Sequence, residues 1–169
     1  KQLLSDKGLA IGRLDGRFMG DEADKLSENP HLGDAASYQI SAAYTASLNH
    51  YFASELKIKM DRPYITSGGG SNWRWRTVPD GKYWEPMPVN TAPDLGETMR
   101  RNTAMKIMVA SGYYDLITPF FDAEYTFDRN GIVKERVDMK YYEAGHMMYT
   151  HEPDLIKLSK DIREFIASE

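Results

Sequence analysis

The pattern of apolar and polar positions divides the chain into three stretches. Near the start, Ile40, Tyr44, Leu48, Tyr51 and Phe52 recur at steps of four, four, three and one, the spacing of one helical face, with Asp34 placed to cap the helix. Ahead of it, Gly8, Gly12, Gly16, Gly20, Pro30 and Gly33 punctuate what reads as a loop-rich stretch. The middle is irregular. Gly68, Gly69 and Gly70 make a flexible turn, Trp73, Trp75 and Trp84 follow closely, and Pro79, Pro86, Pro88 and Pro93 fall within fifteen positions. Such aromatic density suits an ordered connection wrapped over a surface. The last third is regular. Met105 to Ala110 is apolar except for Lys106, which suits a strand buried on both faces. Thr118 and Pro119 supply a helix cap and a first-turn proline for a helix carrying Phe120, Phe121, Tyr125 and Phe127 and ending at Asn130 and Gly131. Val137, Met139 and Tyr141 alternate with Asp138, Lys140 and Tyr142 as a second strand. A final helix opens at Pro153 and Asp154 with an apolar face of Leu155, Leu158, Ile162, Phe165 and Ile166. The order strand, helix, strand, helix predicts a parallel βαβα unit.

Two loops follow the carboxyl ends of these strands, Ser111 to Asp115 and Glu143 to Met147. Parallel strands deliver both loops to one edge, about 4.8 Å apart, and that edge is where open α/β sheets bind ligands. Asp115 and His146 can therefore meet. Singly, an aspartate after a strand is a turn or cap residue, and a loop histidine is a solvated one. Jointly they make an acid–base pair: the carboxylate accepts the imidazole proton, fixes the tautomer and frees the other nitrogen to act as a base.

Composition narrows the field. The 169 residues are 41% hydrophobic, 27% charged and 12% aromatic, which is globular and excludes a disordered or collagen-like chain. No run approaches the ~18 apolar residues of a spanning helix, so no membrane partner is expected. No charged-then-apolar leader opens the sequence, so no signal peptide is expected in it. A net charge of −4 argues against a general phosphate-binding surface, and hence against a nucleic-acid partner. With no cysteine, disulfide scaffolds, thiolate zinc sites and cysteine nucleophiles are excluded. His146 and His151 lie five apart, and His151-Glu152 lacks the second histidine of a zincin, so no metal is expected; His31 and His50 read as packing or capping residues. Trp73-Arg74-Trp75-Arg76 has the interleaving that stacks on single-stranded nucleic acid, but in an acidic chain it reads better as an extended segment with tryptophans on one face.

Ser111-Gly112-Tyr113-Tyr114-Asp115-Leu116-Ile117 and Glu143-Ala144-Gly145-His146-Met147 together resemble the serine carboxypeptidase family, especially its bacterial members. In that family a Gly-x-x-Asp segment carries the triad acid and Gly-His-Met the triad base, in the α/β-hydrolase order of nucleophile, acid, histidine. Ile11 to Phe18 also looks like a segment of the family's cap insertion. The resemblance covers most of the chain and is strongest from 104 to 169. It implies the C-terminal portion of an α/β hydrolase, a parallel βαβα unit preceded by a mostly helical cap segment. The division would be a cap at 1–76, a proline-rich connection with a short helix at 77–103, and hydrolase core at 104–169. It implies removal of C-terminal residues from peptides by a triad in which Asp115 and His146 are catalytic and Met147 lines the leaving-group pocket, with no cofactor. It also implies a secreted or periplasmic location. No Gly-x-Ser-x-Gly elbow occurs in the sequence: Ser67 and Ser71 flank glycines but lack them at both required positions. The nucleophile is therefore expected upstream of this chain, which alone should be inactive. Its expected partners are a peptide substrate and either the N-terminal remainder of the enzyme or a second copy. The alternatives are an esterase or acyl hydrolase of the same fold, and a non-catalytic binding module.

Overall fold

The structure is a computed structural model that describes residues 2–22, 26, 28, 29, 32–62, 64, 65 and 90–168. It is a mixed α/β protein in two compact units, Lys1–Ala42 with Ala92–Glu169, and Ala43–Thr91.

In the first unit, a 3₁₀ turn at Gln2–Lys7 leads into β1 (Leu9–Ile11), which pairs antiparallel with β2 (Met19–Asp21), Ala10 opposite Gly20. This hairpin lies in the stretch expected to be loop. Its strands are three residues long, too short to show an alternation among so many glycines. One of those glycines has a packing reason: a Cβ on Gly20 would stand 1.6 Å from the Tyr38 hydroxyl. Helix α1 (Ala35–His50) begins as expected, with Asp34 Oδ1 accepting the Ser37 N–H at 3.0 Å. What α1 buries in this unit is Ala35 and Ala36, with Ile40 half-buried; Tyr44 and Tyr51 of the expected apolar face are exposed.

Helix α2 (Ala92–Arg101) has Asp94 in its first turn and Arg100 and Arg101 in its last, matching the helix dipole. Its Met99 is fully buried, and Gly96 lets the Asn130–Gly131 turn approach so closely that a Cβ there would meet Asn130 O at 2.3 Å. Asn130 and Gly131 both adopt positive φ, closing the turn after α3. Strand β3 (Ile107–Gly112) runs parallel to β4 (Val137–Tyr142), Ile107 opposite Val137 and Gly112 opposite Tyr142. Helix α3 (Phe120–Phe127) makes the crossover and α4 (Glu152–Ala167) follows β4; both pack against β3.

Four expectations need correction. Strand β3 starts two residues later than Met105, because the Met105 N–H bonds back to Asn102 O and the Met105 carbonyl is taken by Arg136. Its residues 107–110 are half-buried rather than buried on both faces, since β4 is its one strand neighbour among the described residues. On α4 the expected apolar face is also partly bare, with Ile166 77% exposed and Leu155 and Ile162 exposed, because a two-stranded sheet covers only part of the helix. The residues α4 buries are two acids, Asp154 and Asp161, and Asp161 accepts the hydroxyl of the fully buried Tyr142 at 2.9 Å. Lastly, Pro119 occupies the N-cap of α3 itself, and Thr118 serves another group.

In the second unit, α1 ends in a π-helical turn at Tyr51–Glu55, and the Phe52 and Tyr64 rings meet edge to face at 5.3 Å. An open cleft of about 720 Å³ there is bordered by Phe52, Ile58, Met60 and Tyr64. The glycine turn at 68–70, Trp73 to Arg76, Trp84, the segment 77–89, His31, Ser67 and Ser71 lie outside the described residues.

Candidate active site

The parallel ladder carries on past the strands. Tyr113 N–H donates to Tyr142 O and Tyr114 N–H to Ala144 O, both at 3.0 Å, so the two loops leave the carboxyl edge side by side. Gly112 makes this possible: a Cβ there would lie 2.3 Å from Gly145 O and 2.4 Å from Ala144 O.

Asp115 is 5% exposed and its carboxylate is saturated. Oδ1 accepts the amides of Ile117 (2.8 Å) and Thr118 (3.0 Å). Oδ2 accepts the Thr118 hydroxyl at 2.7 Å and faces His146 Nδ1 at 2.8 Å. Burial pushes the Asp115 carboxyl up, but the bonds from Thr118, His146 and the Ile117 amide outweigh it and hold the group below its ordinary value. Thr118, expected as a helix cap, is thus a donor to the acid. Because an ionised carboxylate only accepts, the hydrogen-bond network assigns the proton of a neutral His146 to Nδ1. Nε2 is then the nitrogen with a free lone pair, on a side chain 42% exposed. This arrangement can take a proton from a group presented to Nε2 and stabilise the resulting imidazolium.

Met147 is half-buried and lines a small crevice with Leu14, Phe18, Ile40 and Thr150, about 20 Å³ in volume, room for a single water rather than an amino-acid side chain.

Sequence reasoning missed the loop that joins β1 to β2. Arg13 to Phe18 lies against both site loops, with Asp15 buried and gripped by the Arg17 guanidinium through Nε (3.0 Å) and Nη2 (2.7 Å). Burial raises the Asp15 carboxyl, and the bonds and charge of Arg17 more than reverse it, so this group too sits below its ordinary value. The available signals were an Asp-x-Arg spacing and the family-like run Ile11 to Phe18. A second histidine–acid pair also went unread: His151 Nδ1 faces Asp154 Oδ2 at 2.8 Å, within the first turn of α4. Its partners are three residues apart on one element, as in a local helix start. Asp115 and His146 are brought together from two strands. His50 Nδ1 lies 3.3 Å from Ser54 Oγ. Among the described residues no three histidines or carboxylates gather as a metal site, and no helix is long and apolar enough to cross a membrane.

Comparison with protein-family models, with curated proteins and with solved structures found no match.

Proposed function

We propose that the chain is the C-terminal part of a serine carboxypeptidase-like hydrolase of α/β-hydrolase architecture, supplying the acid and base of its triad. The observation that carries this reading is the buried Asp115 carboxylate 2.8 Å from His146 Nδ1, at the carboxyl edge of a parallel strand pair, with acid preceding base in the chain. The bare face of α4 and the half-buried β3 also favour it, since both are surfaces that a wider sheet and further helices would cover. The rest of such an enzyme is the natural partner, and an exported protein with no cofactor is the natural setting.

In this reading the serine comes from a Gly-x-Ser-x-Gly elbow outside the 169 residues. His146 Nε2 takes the serine proton as the oxygen bonds to the scissile carbonyl carbon. The imidazolium, stabilised by Asp115, then gives that proton to the leaving nitrogen as the C–N bond breaks. Water attacks the acyl-serine with His146 again as base, and the serine is reprotonated as the shortened peptide leaves.

The test uses the product of the complete reading frame, assayed with blocked dipeptides and with esters of the same acyl group. Release of the C-terminal amino acid is expected, with a loss of about 10⁴ in kcat for Asp115→Asn, whose amide favours the wrong tautomer. Full turnover in Asp115→Asn or His146→Ala would refute the assignment, and hydrolysis of esters alone would favour the acyl-hydrolase alternative.

A further inference from the structure

Beyond Tyr113 and Tyr114, no backbone bond among the described residues runs directly between the Asp115 loop and the His146 loop. Each is bonded instead to the β1–β2 loop, and to neighbouring groups of it. Leu116 N–H donates to Arg13 O at 2.9 Å, and His146 N–H donates to Leu14 O at 2.6 Å. Two consecutive carbonyls of one segment thus hold the residue after the acid and the base itself. A second pair of bonds repeats the pattern: Gly16 N–H donates to Tyr114 O, and Arg17 Nη1 to Glu143 O, both at 2.8 Å.

The segment is stiff enough to act as a gauge. The Asp15 carboxylate takes the Arg17 amide at 2.9 Å and the planar guanidinium in a two-pronged grip, while the Tyr114 ring lies 4.4 Å from the guanidinium carbon. There is no slack on the other side. A Cβ on Gly145 would stand 2.3 Å from Leu14 O and 2.5 Å from the Asp15 Cβ. Gly12 seats the far end, where a Cβ would be 2.8 Å from Asp15 O and 3.0 Å from the Ala36 Cβ.

We propose that Arg13 to Phe18 is a strap that sets the spacing of the Asp115 and His146 loops, with Asp15 and Arg17 as positioning residues that act through it. This deepens the functional reading above and rests on it, since spacing matters only if the pair works as acid and base. A hydrogen bond of 2.8 Å weakens steeply with displacement and misalignment. Fixing the His146 amide fixes where its Cα stands, and fixing Leu116 fixes the turn that carries Asp115.

The test is NMR on the product of the complete reading frame, which needs no substrate. Imidazole ¹⁵N shifts read the tautomer of neutral His146, and amide exchange reads the bonds to the strap. The wild-type ring should hold its proton on Nδ1. In Arg17→Gln and Asp15→Asn, the Nδ1-protonated share should fall and exchange at the His146 and Leu116 amides should rise at least about tenfold, with β3–β4 amides keeping their protection. Gly12→Ala, which crowds the strap against Asp15 O and Ala36 without altering a group bonded to either loop, should act in the same direction, and Arg17→Lys should restore only part of the effect. Unchanged tautomer and exchange in these variants would overturn the proposal. So would equal loss of protection throughout β3 and β4, which would make the strap a general support. The pair itself is tested separately: Asp115→Asn must abolish the Nδ1 preference, and if it does not, the acid–base reading fails whatever the strap does.

Discussion

Arg136 offers the sharpest test of how the strand pair is anchored at the edge opposite the site. It stands just before β4 and reaches back to the end of α2. Its Nη2 donates to Met99 O at 2.6 Å, and its Nη1 to the carbonyls of Asn102 (2.8 Å), Thr103 (2.9 Å) and Met105 (3.0 Å). One guanidinium therefore takes up the Met99 carbonyl in the last turn of α2 and pins the turn that starts β3 two residues after Met105. In Arg136→Ala, the exposed carbonyls of Asn102 and Thr103 turn to water at little cost. Those of Met99 and Met105 are part-buried, and each should cost about 1–1.5 kcal/mol. Loss of a cation at a helix C-terminus adds about 0.5 kcal/mol. The expected destabilisation is about 3 kcal/mol, which for a chain of this length lowers Tm by about 6–12 °C. Urea unfolding followed by far-UV circular dichroism gives the midpoint at unchanged slope. Arg136→Lys, a single point donor, should recover less than half. A loss under about 0.5 kcal/mol for the alanine variant would show that the four carbonyls find other partners and that the turn is not set by this residue.

The acidic groups set a pH dependence. Asp15 and Asp115 both have folded pKa values below the ordinary 3.8, so the stability they contribute is fully present above that value and is lost as pH falls through the depressed folded values. Urea titrations from pH 6 to pH 2.5 should show stability falling below about pH 4, less steeply in Asp115→Asn, and an unchanged slope in that variant would contradict the assignment. Tyr142→Phe removes the donor to buried Asp161 and should cost about 1.5–3 kcal/mol by the same urea measurement, because a carboxylate is left short of a partner. Gly112→Ala places a methyl group against the carbonyls of Ala144 and Gly145 and should cost about 1–3 kcal/mol while disturbing the His146 ring signals; a neutral result would mean the two loops can part without loss.

Much of the site was legible because two local patterns carried it. The alternation from Val137 to Tyr142 gave β4 at its observed bounds, and the apolar run gave β3 to within two residues. A parallel pair then brings Asp115 and His146 to one edge. What failed to show was whatever depends on distant partners. The start of β3 depends on Arg136, some thirty residues away in sequence. The true role of Thr118 depends on which neighbour competes for its hydroxyl, the helix end or the Asp115 carboxylate, and a charged acceptor wins. Where the run Ile11 to Phe18 docks was hidden for the same reason: Arg17 reaches Glu143 across 126 positions. The exposed faces of α1 and α4 match the expected apolar stripes in composition, but a stripe states only that cover is needed, and not what supplies it.

The surroundings of Asp115 differ in kind from those of His146. Three of the four donors to the carboxylate come from residues two and three positions further on. The imidazole and the amide of His146 depend on partners 31 and 132 positions away. Closing a turn of three residues involves almost no loop entropy and falls on the fastest timescales of chain motion, whereas the others wait for strands to pair. The shelter of the negative charge thus belongs to one short stretch of chain and would survive a parting of the strands, whereas the place of His146 would not.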